Sequence, residues 1–136
     1  MSHPRKWTRA LVRAACVASA ILAPAPAMAD WRGLYGPEIV AALTAYDVAY
    51  DDLAWERHEA NGMLLVRSLE GPSGRTSVGE WMVRGDARCL RWNGAGGWEC
   101  YAVQTDGGDG IRFTDAYGNV SEGRLVTRDP DGGGPR

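Results

Sequence analysis

The sequence holds none of the short motifs that mark catalysis or nucleotide binding: no glycine-rich phosphate loop, no Gly-x-Ser-x-Gly elbow, no His-Glu-x-x-His and no Cys-x-x-Cys. Histidine is scarce, with only His3 and His58. A basic excess is missing too, since 15 Lys and Arg stand against 17 Asp and Glu. That balance argues against nucleic acid and anionic membrane surfaces as partners. No apolar run reaches the roughly 20 residues a membrane helix needs. The best candidate, Ala14 to Leu22, is bounded by Arg13 on one side and by Pro24 and Pro26 on the other.

What the N-terminus does have is the layout of a secretory signal peptide over residues 1–29. Arg5, Lys6 and Arg9 form the basic start, Ala14 to Leu22 the apolar stretch, and Ala27-Met28-Ala29 the small-x-small cleavage pattern before Asp30. Cys16 follows Arg13-Ala14-Ala15, without the large aliphatic residue a lipoprotein processing site expects. The expectation is a periplasmic or secreted protein with no stable membrane anchor. Cleavage would leave 107 of the 136 residues, one domain able to bury roughly 65% of the unfolded chain's surface. It would also remove Cys16 and four basic residues, leaving 11 basic against 17 acidic side chains. Two cysteines then remain, Cys89 and Cys100, and in an exported chain of this size they read as a disulfide rather than a metal pair.

Gly36-Pro37-Glu38 is a helix entry: a permissive cap, proline in the first turn and an acid favourable to the dipole. The helix from Pro37 to about Ala45 is short, with Ile39, Val40 and Leu43 on one face. Everything later reads as strands at spacings of about ten residues. They are placed at Tyr46 to Tyr50, Leu53 to Glu59, Met63 to Leu69, Ser77 to Arg84, Ala87 to Trp92, Trp98 to Gln104, Gly110 to Thr114 and Val120 to Thr127. Between them lie turn residues such as Asn61-Gly62, Gly85-Asp86 and Asp106-Gly107-Gly108-Asp109. This is an all-β chain with one short N-terminal helix, an antiparallel meander or small up-and-down barrel of about seven to eight strands. The β domain spans 30–128, and the Gly, Pro and charge-rich end, 129–136, reads as a disordered tail.

A Cys89–Cys100 bond between neighbouring antiparallel strands sets a register. Trp98 then faces Arg91 and Tyr101 faces Arg88. A turn at Gly85-Asp86 places Met82 opposite Cys89, Trp81 opposite Leu90 and Glu80 opposite Arg91. Trp81, Val83, Leu90, Trp92, Tyr101 and Val103 form the core face. The other face carries Glu80, Met82, Arg91, Trp98 and the disulfide, and is the candidate partner-binding face, with Trp98 and Arg91 placed for a cation–π pair.

Candidate chemistry is thin. His58 shares a strand face with Glu56, but no nucleophile can be assigned to it, and it reads as a solvated strand histidine. Asp106-Gly107-Gly108-Asp109-Gly110 offers too few oxygens for calcium and reads as a hairpin turn. Arg84-Gly85-Asp86 spells an adhesion tripeptide at a position where a turn is wanted. No catalytic residue, metal site or cofactor is assigned.

The pattern Gly79-x-Trp81-x-Val83-x-Gly85-Asp86 with Arg88-Cys89-x-x-Trp92, then Trp98-x-Cys100-Tyr101-x-Val103 and Asp109-Gly110-x-x-Phe113, resembles an uncharacterised family of small exported proteobacterial proteins. So does the helix start Gly36-Pro37-Glu38-Ile39. The resemblance covers roughly Gly36 to Val126 and implies export, the disulfide and a lipocalin-like or similar β fold. It brings no catalytic residues. The expected function is a non-enzymatic exported binding module, taking a small apolar ligand in a barrel mouth or an envelope protein on the Trp98 face. The alternative is an inhibitor or accessory factor of a cell-envelope enzyme. A hydrolase using His58 with Glu56 or Asp52 ranks third. A carrier should show an apolar cavity, an inhibitor a protruding loop with exposed apolar residues, and an enzyme His58 in a cleft beside a carboxylate.

Overall fold

The computed structural model describes residues 20–23, 30–69, 74–94 and 96–134. The expected signal segment lies outside the described residues except for 20–23, as do 70–73 after the strand expected at Met63 to Leu69, residue 95, and 135–136 of the tail. Among the described residues no helix is long and apolar enough to cross a membrane.

From Arg32 the chain runs β1 (Arg32–Gly33), α1 (Gly36–Ala45), β2 (Tyr46–Tyr50), β3 (Ala54–His58), β4 (Met63–Ser68) and β5 (Arg75–Arg84). It continues with β6 (Ala87–Trp92), β7 (Glu99–Thr105), β8 (Gly110–Thr114) and β9 (Val120–Thr127). Consecutive strands from β2 to β9 pair antiparallel, and β9 returns to pair with β2, so eight strands close a barrel with β1 as an extra strand on β7. Closure leaves these eight strands without a long free edge.

The register derived from the disulfide is the observed one. Cys89 pairs with Cys100, Arg88 with Tyr101, Met82 with Cys89, Trp81 with Leu90 and Glu80 with Arg91. Trp98 sits one residue before β7, and the Arg91 guanidinium lies 4.6 Å from its ring centroid. Arg91 Nε also donates to Glu80 Oε2 at 2.7 Å, so this outer face is tied together across its strands.

Helix α1 closes one end of the barrel. Ile39 and Leu43 are wholly buried and join Leu34, Trp81, Val103 and Ile111 in the core. The cap falls one residue earlier than the sequence suggests: the Tyr35 backbone N–H donates to Glu38 Oε2 at 2.9 Å. Gly36 is instead the first helical residue, and its N–H donates to Asp86 Oδ1 at 2.8 Å. A Cβ at Gly36 would run into the Gly85 carbonyl. The Arg84-Gly85-Asp86 tripeptide is thereby used in the fold: Gly85 turns the hairpin with φ of 59° and Asp86 holds the helix start.

Two inward-facing glycines make room for aromatic rings at the far end. A Cβ at Gly79 would lie 2.7 Å from Trp92 Cε3, and one at Gly123 would lie 3.2 Å from Tyr50 Cε1. On the outside of β2 and β3, Asp47 and Arg57 form a buried bidentate pair at 2.9 and 2.7 Å. Residues 129–134, read from composition as part of a disordered tail, lie over that pair: Arg57 donates to the carbonyls of Gly132 and Gly133 at 3.3 and 3.2 Å. Gly134 rests against Trp55, which is buried although its side chain points outward.

Candidate functional site

Strand parity decides what the barrel encloses. Val48 pairs with Glu56, Glu56 with Val66 and His58 with Leu64, so Glu56 and His58 face inward together. From the opposite wall, Arg88 pairs with Val83 and Tyr101 and also faces inward. It is 3% exposed. Its side chain reaches Glu56, where Nη1 donates to Oε2 at 2.6 Å. The guanidinium carbon lies 3.6 Å from the Phe113 ring centroid and 5.1 Å from that of Tyr101. An arginine fits here because its planar guanidinium can lie on a ring while donating sideways.

His58 corrects an expectation. The sequence reads it as solvated, yet the structure leaves it no exposed surface. It meets Trp81 edge to face, with ring centroids 5.0 Å apart, and its Nε2 lies 3.3 Å from Arg88 Nη1 and 3.8 Å from Glu56 Oε2. Arginine can only donate, so Nε2 accepts and the ring proton sits on Nδ1. Burial, then the charges of Arg88 and Arg128, hold the imidazole well below its usual pKa. The neutral ring is a structural acceptor beneath the arginine. On the outer side, Arg128 Nη2 donates to the carbonyls of His58 and Leu43 at 2.6 and 3.0 Å, which pins β3 to the helix.

Tyr50 completes the cluster, with its hydroxyl meeting Glu56 and Arg88. Burial and the Glu56 charge push the phenol up, so it stays protonated. Around this layer the inward residues toward the end away from α1 lose their cover. Val66, Trp92, Tyr101 and Tyr50 are half-buried, and Ser77, which pairs with Val66 and so also faces inward, is exposed. The barrel is therefore capped by α1 at one end and less covered at the other, its mouth, and the Glu56–Arg88 pair lies beneath those half-buried residues.

The residues assigned from sequence to a partner-binding face, Glu80, Met82, Arg91 and Trp98, do come together, outside the barrel beside the disulfide. Next to them a groove of about 330 Å³ runs along the rim between Trp98 to Tyr101 and Asp115 to Tyr117. The Asp106 to Gly110 loop spends its acids internally: Asp106 Oδ1 accepts from the N–H groups of Gly108 and Gly110, and Asp109 pairs with Arg124. Among the described residues no group of three or more His, Cys, Asp or Glu side chains is placed to hold a metal ion. Asp52 lies in the exposed turn after β2, away from His58.

The inner Arg88–Glu56–His58–Tyr50 cluster is the feature that the sequence reading does not assemble. The signal for it was present: the disulfide register places Arg88 on the core face, opposite Tyr101. No family model, no curated protein and no solved structure matches this chain.

Proposed function

We propose that this chain is a non-enzymatic binding module, exported to the periplasm or beyond, that holds a small amphipathic ligand in the open mouth of its barrel. The observation that carries the reading is the ring of half-buried inward residues, Tyr50, Val66, Trp92 and Tyr101, above the Glu56–Arg88 floor. Aromatic and aliphatic walls with a few convergent polar groups are the usual lining of a small-molecule site. The expected apolar ligand becomes an amphipathic one on this reading, because the floor is polar. Arg88 and Glu56 cancel in charge and His58 is neutral, so a ligand that brings no net charge fits best.

The same geometry argues against hydrolysis. His58 lies beside a carboxylate, yet it has no exposed surface and its free lone pair is taken by Arg88. A base must reach the proton it removes.

Native mass spectrometry of protein purified from the periplasm under non-reducing conditions tests this reading. A chain beginning at Asp30 that carries a dissociable small mass supports it. A chain that retains residues 1–29 or carries lipid contradicts the export on which it stands.

A second reading, an inhibitor or accessory factor of an envelope enzyme, has one observation in its favour. Tyr117 stands 91% exposed on the hairpin between β8 and β9.

A further inference from the structure

Tyr117 is exposed but not loosely held. The turn that presents it is fixed by Asp115, whose Oδ1 accepts from the backbone N–H groups of Tyr117 and Asn119 at 2.9 and 2.8 Å. Asp115 Oδ2 accepts from Asn119 Nδ2 at 2.8 Å, and the backbones of Asp115 and Asn119 close the turn at 3.0 Å. A large aromatic ring on a pre-ordered turn binds without a further ordering cost, and that is the usual character of an interface anchor.

The groove beneath this ring is aromatic and acidic. Trp98, Tyr101 and Tyr117 contribute rings, and Glu99 and Asp115 contribute carboxylates. Hydrogen bonds from Asn119 hold the Asp115 carboxyl below its usual range, so it stays ionised. Three other surface carboxylates hold arginines: Glu80 with Arg91, Glu122 with Arg112, Asp109 with Arg124. Among the described residues no arginine or lysine bonds Glu99 or Asp115, and Glu99 accepts only from the Tyr101 hydroxyl, at 3.2 Å. Two negative charges with no cation, set among aromatic rings, form a receptor for a guanidinium or ammonium group. Trp98 already makes such a contact with Arg91 inside the chain.

We propose that the rim groove between Trp98 and Tyr117 docks an arginine-bearing segment of a partner protein. The guanidinium enters over Glu99 and Asp115 and stacks on the Tyr117 ring. This site lies at the rim and shares Tyr101 with the mouth, while Glu99, Asp115 and Tyr117 belong to it alone. It names the surface and the partner chemistry for the accessory-factor reading.

The test is a backbone-amide NMR titration of the mature protein at low salt with acetyl-Gly-Arg-Gly-amide, against the same peptide carrying citrulline, a neutral isostere. The arginine peptide should shift the Trp98 indole and the amides of 115–119 saturably, about tenfold more tightly than the citrulline peptide. Tyr117→Ser and Glu99→Gln should each weaken it about fivefold or more, while signals from Tyr50 and Trp92 in the mouth stay in place. Both substitutions are at exposed positions, and an unchanged spread of the remaining signals reports an intact fold. Equal binding of the two peptides, shifts scattered over the acidic surface, no shift at all, or binding untouched by Tyr117→Ser would overturn the proposal. So would movement of the same amides with protein concentration alone, because the occupant would then be a second copy of the chain.

Discussion

Arg88 and Glu56, on facing walls of the barrel, meet at 2.6 Å across its interior. The pair joins β6 to β3, which are not hydrogen-bonded neighbours, and lies between the buried core under α1 and the half-buried inward residues Tyr50, Val66, Trp92 and Tyr101. Removing one member leaves the other charge buried without compensation. Arg88→Met should lower stability by about 3–5 kcal/mol in urea unfolding. The double variant Arg88→Met, Glu56→Gln should lose less than the single one, because it removes both charges. A loss in the double variant larger than in the single would show that Glu56 does not depend on Arg88.

His58 makes stability depend on pH. Its pKa is lowered in the folded chain by burial and by the neighbouring Arg88 and Arg128. The unfolded chain therefore binds the extra proton more readily once pH falls below about 6.5. Stability contributed by the neutral ring is full above that value and is lost as pH drops toward the folded pKa. The slope approaches about 1.4 kcal/mol per pH unit. His58→Phe, which keeps a ring against Trp81, should flatten this part of the profile. Matching slopes in the two proteins from pH 7 to 5 would contradict the assignment.

The segment after Arg128 covers the outer side of β2 and β3. Ending the chain at Arg128 removes the two carbonyls that accept from Arg57 and uncovers Trp55. The expected result is a red shift in tryptophan emission and a loss of about 2 kcal/mol. Unchanged emission would mean that Trp55 is covered by something else.

Gly79 is a packing requirement, since a Cβ there would meet both the Trp92 ring and the Arg91 carbonyl. Gly79→Val should cost about 1–3 kcal/mol from overpacking, measured by the thermal midpoint. A variant as stable as the parent would show that Trp92 can leave the mouth freely.

Replacing Cys89 and Cys100 together by serine should cost roughly 3 kcal/mol for a loop this short. Because eight strands remain paired around the ring, the circular dichroism of the folded protein should stay the same. A lost spectrum would mean that the cystine holds the barrel together rather than tightening it.

Much of this architecture was legible because the turns announce themselves. The strands Tyr46–Tyr50, Ala87–Trp92, Gly110–Thr114 and Val120–Thr127 have the bounds expected from the glycine, asparagine and aspartate residues between them. The register of β5, β6 and β7 followed from one cystine and one turn. Closure was not readable, because the pairing of β2 with β9 joins segments some 75 residues apart in sequence and leaves no local mark. β1 has two residues and no alternation to detect. The interior charges were readable in part. Arg88 falls inside by the register already derived, but a charged residue facing a core is expected outside until its partner is known. Glu56 and His58 were correctly placed on one face, and only the barrel shows that this face is the inner one. Asp129 to Gly134 reads as disorder by composition, since backbone carbonyls that satisfy an arginine have no sequence signature.

On the proposed function, the mouth above Glu56 and Arg88 takes a small amphipathic molecule. The most direct measurement is a fluorescence titration of the mature protein with the uncharged aromatic amine N-phenyl-1-naphthylamine, beside a Ser77→Trp variant that fills the mouth from the inward side of β5. The expected result is a saturable rise in emission for the parent protein and its loss in Ser77→Trp, with circular dichroism unchanged. No rise in the parent, or the same rise in both proteins, would contradict it.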